Sequence, residues 1–245
     1  MDLAIVTLAE RPDLAPWMTA FPGGWPEFMK HDPTSGFYYN AVSEYYAEYV
    51  LLAYDRADPD RAVAQAYSVP VHWEDDLPPD GWDRVILRAA LDRLAGRAAN
   101  LVSAIEISIR PDLRGSGLSG VLLGAMRDNT RRLGFDTLVA PVRPSAKAAH
   151  QDVPMTEYAH RTRDDGLPFD PWLRVHVRAG GVLESVAPTS MTIAGTLAQW
   201  RDWTGLPFDE TGPVAVPGAL VPVNCAVEHD YAVYVEPNVW IRHRT

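Results

Sequence analysis

Cysteine is almost absent from this sequence of 245 residues, which has Cys225 alone. One cysteine excludes an intrachain disulfide and a multi-cysteine metal site, so we interpret Cys225 as a small buried residue and expect a reducing, cytoplasmic location. An excess of basic residues is missing too, because 32 Asp and Glu outnumber 22 Lys and Arg, for a net charge of -10. Without a basic patch, nucleic acid is not an expected partner.

Long apolar runs and processing signals are missing as well. The apolar run at residues 3–8 ends at Glu10 and Arg11, so no signal peptide is indicated. No window approaches the roughly 20 apolar residues of a membrane helix, and we expect a soluble protein with no membrane partner. With 47% hydrophobic residues and no repeat or linker, we expect one domain over residues 1–245, of unknown oligomeric state.

The clearest structural pattern lies in the middle of the chain. Residues 101–109 are β-branched and aliphatic and predict a buried strand, which a glycine-rich turn follows. Apolar residues then recur at helical spacing from Leu118 to Leu133, Gly134 is a stop signal, and residues 136–140 predict a second strand. This order indicates a βαβ unit whose two strands run parallel with a right-handed crossover.

Weaker patterns surround this unit. The aromatic stretch at residues 21–39 is interrupted by prolines and predicts only short helices and loops. Further strands are predicted at residues 3–8, 49–54, 62–71, 182–186, 221–227 and 231–235, and helices at residues 41–49, 82–94, 171–178 and 195–203. The mixture of strands and helices predicts an α/β protein.

The turn from Arg114 to Gly120 carries the strongest chemical signal. Its glycines let backbone N–H groups approach an anion, and the following helix adds unpaired donors and a partial positive charge. These features favour a phosphate or pyrophosphate group. The alternative is a tight turn that binds nothing.

Gly115, Gly117 and Gly120 also satisfy G-x-G-x-x-G, the fingerprint of dinucleotide sites. A nicotinamide site expects an acidic residue about 20 positions later, and the second strand here leads to Arg143 without an acid. Because an arginine could meet a 2′-phosphate, a dehydrogenase stays an alternative. The motifs of nucleotide triphosphate loops and serine hydrolases are not satisfied.

The run ISIRPDLRGSGLSGVLLGAMRDNTRRLGF resembles the acetyl-CoA-binding segment of the GNAT family of N-acetyltransferases, whose pattern is Q/R-x-x-G-x-G/A after a strand. Arg114, Gly117 and Ser119 stand at the patterned positions, with serine replacing the usual glycine or alanine. The resemblance implies an α/β fold of the GNAT type, with a mixed central sheet, helices on both faces and an extended C-terminal part. It also implies acetyl-CoA or another acyl-CoA as co-substrate and no bound metal.

By this resemblance the cofactor-binding residues form two groups. The first group binds the pantetheine arm through the backbone of Ile107, Ser108 and Ile109. The second group holds the pyrophosphate through N–H groups of the turn and the start of the helix, namely those of Arg114, Gly115, Ser116, Gly117, Leu118 and Ser119.

Segments outside this run resemble, more distantly, a subgroup of large GNAT-like proteins; they include WPEFMKHDP, RPSAKAAH and DGLPFDPWLRVHVRAGG. That subgroup includes domains of polyketide loading modules that decarboxylate an acyl-CoA or move its acyl group onto a carrier-protein thiol. The likeness implies that the acceptor need not be an amine. It makes an acyl carrier protein an alternative partner.

Acyl transfer to an amine needs a base for the amine proton, donors for the thioester oxygen and an acid for the leaving thiolate. Glu106 lies in the strand that would contact the pantetheine, and it is the candidate general base. The alternative for Glu106 is an acid that points to solvent or pairs with an arginine.

Three further residues are candidates for proton transfer. Tyr158 and His160 follow the second strand and are candidate acids, with packing or a loop hydrogen bond as the alternative. His176 lies between Arg174 and Arg178 on its predicted helix, so their charges would keep it neutral and able to act as a base. The alternative for His176 is a surface histidine.

Trp25 and Arg174 are the predicted residues of the acceptor pocket, because tryptophan offers a flat apolar wall and arginine binds carboxylates. The sequence therefore predicts an acyltransferase that moves an acyl group, acetyl by family default, from acyl-CoA to a small-molecule amine. One alternative is acyl transfer or decarboxylation with an acyl carrier protein. Another is a non-enzymatic acyl-CoA-binding protein.

Overall fold

A computed structural model describes residues 1–22 and 24–245, and its nine strands belong to one mixed sheet. The strands are β1 (Leu3–Thr7), β2 (Val50–Asp55), β3 (Asp58–Val71), β4 (Leu101–Ile109), β5 (Thr137–Val142), β6 (Val182–Gly195), β7 (Gly212–Val214), β8 (Val223–Ala226) and β9 (Tyr231–Arg244). They are ordered β1-β2-β3-β4-β5-β9-β8-β7 in space. The last strand is central, since β5 and β8 pair along one edge of β9 and β6 pairs along the other.

Helices connect these strands. The α-helices are α1 (Ala15–Ala20), α2 (Gly36–Tyr39), α3 (Val42–Tyr45), α4 (Gly81–Leu94), α5 (Leu118–Arg132), α6 (Met155–Tyr158), α7 (Pro171–Arg178) and α8 (Leu197–Thr204). Short 3-10 helices cover Pro12–Leu14, Glu27–His31, Ala47–Tyr49, Pro111–Leu113, Lys147–His150 and Val227–His229. Within residues 1–22 and 24–245, no helix has the length and apolarity to cross a membrane.

The helices cover both faces of the sheet. On one face α4 and α8 pack with the segment of residues 27–46, and the largest buried side chains there include Trp200 and Trp240. On the other face α5 and α7 bury Leu122, Met126 and Leu173 against β4, β5 and β9. This arrangement confirms the predicted α/β fold with a mixed sheet and helices on both faces.

The predicted βαβ unit is confirmed, and its two strands separate early. β4 and β5 are parallel, but they pair only at Val102 with Leu138 and at Ser103 with Val139. On its other side β4 pairs with β3, and the register shifts there because Ser68 lies opposite Ala104 while Tyr67 lies opposite Glu106. This irregularity is a β-bulge, which bends the strand and changes the direction of nearby side chains.

Local patterns predicted several elements closely and others poorly. The predicted strand at 101–109 and helix at 171–178 agree with β4 and α7. The predicted strands at 182–186 and 231–235 are too short, because β6 and β9 each extend over 14 residues. Pro188 and Pro237 hide this continuity in the sequence, because proline usually marks the end of a strand or an edge position. The predicted helix at 41–49 is wrong as one element, since it divides into α3 and a 3-10 turn.

Candidate active site

The separation of β4 from β5 leaves a cleft between them, called the strand cleft below. Its volume is about 50 Å³, and it is lined by Ala104, Ile105, Glu106 and Ile107 of β4, Ala140, Pro141 and Val142 of β5, Leu123 of α5, and Trp172 and His176 of α7. Among the described strands, none pairs with the β5-facing edge of β4 beyond Ser103. The backbone groups on that edge are therefore available to an extended ligand.

The glycine-rich turn follows the C-terminal end of β4 and leads into α5. Gly115 and Gly117 have φ values of 81° and 86°, in the left-handed region that favours glycine. The turn is exposed, and four of its N–H groups have no acceptor among residues 1–22 and 24–245; they belong to Gly115, Gly117, Leu118 and Ser119. These donors and the partial positive charge of the helix start are arranged to bind an anion.

A larger cavity of about 270 Å³ opens on the opposite face of the sheet. Its lining is mostly apolar and comprises Trp25, Met29, Lys30, Ser35, Tyr39, Trp82, Ile105, Glu106, Pro141, Arg143, Met191, Glu236 and Asn238. Three of these residues, Ile105, Glu106 and Pro141, also line the strand cleft. The two spaces therefore meet where β4 and β5 part.

Glu106 lies at this meeting point and is held by two hydroxyl groups. The Tyr39 hydroxyl donates to Glu106 Oε2 at 2.6 Å, and the Ser108 hydroxyl donates to Oε1. Burial and then the charge of Glu106 raise the pKa of Tyr39 well above its usual value. Tyr39 therefore stays protonated, and it remains a hydrogen-bond donor to the carboxylate at physiological pH.

Arg143 and Glu236 form a buried ion pair in the wall of the large cavity. Arg143 Nε donates to Glu236 Oε1 and Oε2 at 3.1 and 2.9 Å, and Arg143 Nη2 donates to the Gly218 carbonyl at 2.6 Å. Glu236 is fully buried and also accepts from Tyr234 and Asn238. Despite the opposing effect of burial, the charge of Glu236 raises the pKa of Arg143, so the guanidinium stays charged.

Two neighbouring acidic residues, Asp32 and Asp83, lie beside the segment that lines this cavity. Asp32 Oδ1 accepts from the N–H groups of Thr34 and Ser35, both at 2.8 Å, and Asp83 Oδ2 accepts from Thr192 N at 3.0 Å. The other oxygens, Asp32 Oδ2 and Asp83 Oδ1, are buried without a partner among the described residues. Burial and then the neighbouring Asp32 carboxyl raise the pKa of Asp83 to about 8, so the pair holds a proton at neutral pH.

His176 lies on the α7 side of the strand cleft and contacts a second histidine. Its Nδ1 is 2.9 Å from His243 Nε2, so one ring donates to the other, while His176 Nε2 has no partner in the described parts of the chain. Burial and then His243 lower the pKa of His176 to about 3. The ring is therefore neutral, as predicted, but the cause is burial and His243, and the alternative of a surface histidine is wrong.

No family model matches this chain. Arginine N-acetyltransferase avaD from Aspergillus versicolor is 34% identical to it over an alignment of 272 residues. The alignment covers 98% of this chain and 93% of the relative. The chain belongs to the GNAT family of N-acetyltransferases. It is accordingly an acyl-CoA-dependent acyltransferase.

Solved structures confirm the GNAT fold. The loading GNATL domain of CurA from Lyngbya majuscula aligns over 99% of this chain and 96% of that domain, with a TM-score of 0.62 and 18% identity. The GphF GNAT-like decarboxylase, in complex with isobutyryl-CoA, aligns over 100% and 99%, with a TM-score of 0.54 and 13% identity. At these identities the likeness concerns the fold alone.

In this GNAT protein the predicted acceptor residues lie in different places. Trp25 lines the large cavity, where its ring centroid is 5.7 Å from the Arg143 guanidinium carbon. Arg174 does not line this cavity, because its Nη1 donates to the carbonyls of Pro168 and Phe169 beside α7. The arginine of the cavity is Arg143, which follows β5.

The predicted general acids lie outside both the strand cleft and the large cavity. Tyr158 is buried, and its hydroxyl donates at 3.0 Å to Asp170, the residue that caps the start of α7. His160 is exposed in the turn after α6. Neither residue lines the strand cleft or the large cavity, so the packing and loop roles describe them better.

Sequence reasoning missed Tyr39 and Glu236, and it noticed Arg143 only as a partner for a 2′-phosphate. One signal for Glu236 was available, because an acid inside the apolar strand YVEPNVW needs a buried partner. Tyr39 carries no such signal, since it is one of several aromatic residues in its segment. Its contact with Glu106 spans 67 positions and depends on the folded chain.

Proposed function

We propose that this enzyme transfers an acetyl group from acetyl-CoA to a small-molecule amine by direct attack, without a covalent enzyme intermediate. The observation that carries the proposal is the position of Glu106, which lines both the strand cleft and the large cavity. A thioester in the cleft and an amine in the cavity would meet beside this carboxylate. We also propose that residues 1–245 act as one catalytic domain.

The strand cleft and the glycine-rich turn form the coenzyme site. The turn binds the pyrophosphate through the backbone from Arg114 to Ser119, which includes four N–H groups without an acceptor in the described chain. The unpaired edge of β4, from Ile107 to Ile109, binds the pantetheine arm by backbone hydrogen bonds. This path leads the thioester between β4 and β5 toward Glu106.

Glu106 serves as the general base, directly or through one water. The amine nitrogen attacks the thioester carbon, a C–N bond forms, the C–S bond breaks, and the amine proton passes to the carboxylate. Tyr39 and Ser108 hold the carboxylate in place through its two oxygens. CoA leaves as a thiolate and takes a proton from solvent, because neither Tyr158 nor His160 reaches the cleft.

His176 contributes as a neutral group and not as the base. A ring whose pKa is about 3 accepts protons poorly at neutral pH. When His243 donates from Nε2 to His176 Nδ1, the neutral tautomer of His176 carries its proton on Nε2. His176 lines the strand cleft, where this N–H would be the donor to the carbonyl oxygen as it becomes negative.

The acceptor is a small molecule that enters the large cavity. Its volume of about 270 Å³ suits an amino acid or a comparable amine. The relative avaD is by name an arginine N-acetyltransferase, which supports an amine as the acceptor of this chain and acetyl as the donor group.

The test combines purified protein, acetyl-CoA and a panel of small amines that includes arginine. We expect thiol release only when an amine is present, with an N-acetylated product in the mass spectrum. Glu106→Gln should lower kcat/KM by about 10²- to 10⁴-fold, the usual contribution of a general base. Glu210→Gln, which changes an exposed acid outside both cavities, is the matched control.

Other outcomes would replace the proposal. Thiol release from malonyl-CoA without amine, or acyl transfer to an acyl carrier protein, would establish the carrier-dependent chemistry. Tight CoA binding without turnover would indicate a binding protein. Stabilisation by NADPH but not by CoA in a thermal-shift assay would indicate a dehydrogenase.

A further inference from the structure

We propose that Arg143 binds a carboxylate of the acceptor, so that this enzyme acetylates free α-amino acids in preference to the matching amines without a carboxylate. The inference rests on the proposed function, because it concerns the acceptor of that reaction. It assigns a specificity role to a residue that lies 37 positions beyond Glu106 in the sequence but lines the same cavity.

The Arg143 guanidinium is fixed in place, and one of its nitrogens makes no hydrogen bond to the described part of the chain. Nε and Nη2 are used by Glu236 and by the Gly218 carbonyl. Nη1 makes no hydrogen bond within residues 1–22 and 24–245, and it is not among the buried atoms that lack a partner. A charged donor that is held rigidly and remains accessible from an apolar cavity is suited to bind an anion.

Glu236 is not available to bind a cationic group of the acceptor. Its oxygens already accept from Arg143, Tyr234 and Asn238, and no part of the residue is exposed. Because these donors occupy its lone pairs, Glu236 acts on the acceptor through Arg143, which it orients. The group that the cavity presents at this wall is therefore the Arg143 guanidinium.

Glu106 supplies the opposite charge on the other side of the opening between β4 and β5. An α-amino acid carries an ammonium group and a carboxylate on one carbon atom, so it matches a cavity with a carboxylate on one strand and a guanidinium beside the next. The remaining wall offers apolar surface for a side chain, from Trp25, Met29, Trp82 and Met191. Lys30, which also lines the cavity, is paired with Glu27 at 2.6 Å.

The experiment compares amino acids with their decarboxylated amines: arginine with agmatine, lysine with cadaverine and tyrosine with tyramine. Each pair differs only in the carboxylate. We expect wild-type kcat/KM to favour the better amino acid over its amine by at least about 10-fold, as a charged hydrogen bond would give. Equal or higher activity on the amines would overturn the inference while leaving N-acetylation established, whereas no activity on any amine would overturn the proposed function itself.

The variant Arg143→Gln should remove the preference by lowering kcat/KM for the amino acid about 10- to 100-fold more than for the amine. Because Arg143→Gln leaves Glu236 buried without its cation, the double variant R143Q/E236Q is made alongside it, and thermal unfolding verifies both folds. Arg242→Gln is the matched control, since it breaks the partly exposed pair between Arg242 on β9 and Glu184 on β6, outside the cavity. A preference that survives in the folded double variant would contradict the role of Arg143.

Discussion

Tyr39 shows how single side chains set up this site. Its hydroxyl is 2.6 Å from Glu106 Oε2, and hydrogen bonds to a charged group contribute roughly 1.5–3 kcal/mol. Tyr39→Phe should lower kcat/KM for the acceptor about 10-fold, because the Glu106 carboxylate loses one of the two hydroxyl groups that hold it in place. The KM for acetyl-CoA should change little.

The measurement is steady-state kinetics in which acceptor and acetyl-CoA are varied in turn, with Tyr231→Phe as the control. Tyr231 is exposed at the start of β9, and the large cavity is lined without it. An unchanged kcat/KM for the acceptor in Tyr39→Phe would show that Tyr39 only packs against the cavity.

At the scale of residues, the sequence predicted the groups that local motifs mark. Glu106 and the turn from Arg114 to Ser119 could be proposed because a strand and a glycine-rich turn identify their surroundings. Arg143 and its partner Glu236 are 93 positions apart, and they meet only because β5 and β9 become neighbours in the sheet. No local pattern encodes such a meeting.

The proposed coenzyme site depends on the start of α5. Gly117 caps the helix with φ 86°, a conformation that costs an alanine about 1–2 kcal/mol. Gly117→Ala should therefore raise the KM for acetyl-CoA about 5- to 30-fold, since the strained turn no longer holds its N–H groups in line.

Gly124→Ala is the control for this change, because Gly124 lies within the same helix and a Cβ there meets no atom within 4 Å. It should keep the KM for acetyl-CoA and can stabilise the helix by up to about 1 kcal/mol. Steady-state kinetics and thermal unfolding of both variants measure the two effects. Equal coenzyme KM values would remove the turn from the proposed site.

Elements with strong local signals were the predictable ones. The strand at 101–109 and the helix at 171–178 are bounded by proline or glycine and by changes in hydrophobic spacing. The full lengths of β6 and β9 could not be predicted, because Pro188 and Pro237 interrupt strands whose continuity comes from pairing across the sheet. The early separation of β4 from β5 has no sequence signature either.

The pH dependence of stability concerns the whole molecule. Burial and Asp32 raise the pKa of Asp83 to about 8, so its proton stabilises the folded state at low pH and that contribution is lost as pH rises toward 8. Burial lowers the pKa of His176 to about 3 and that of His243 to about 4, so their contribution is present above about pH 6.5 and is lost as pH falls. Stability should therefore be highest near pH 6.5.

Urea unfolding between pH 5.5 and 8.5 measures this profile. Asp83→Asn keeps a neutral group opposite Asp32, so it should flatten the decline between pH 6.5 and 8, whereas the exposed change Asp76→Asn should not. A wild-type free energy of unfolding that rises from pH 6.5 to 8 would contradict the assignment of a bound proton to Asp83.

The strand cleft and the large cavity meet at Glu106, and this has a consequence for inhibitor design. In the proposed mechanism, coenzyme and acceptor approach Glu106 from opposite sides of the sheet, so both can be bound at the same time. A single compound that joins an amino acid to CoA through a short acyl bridge would span the gap between β4 and β5. It would gain affinity from the strand cleft and the large cavity at once. The half that occupies the large cavity would decide its selectivity.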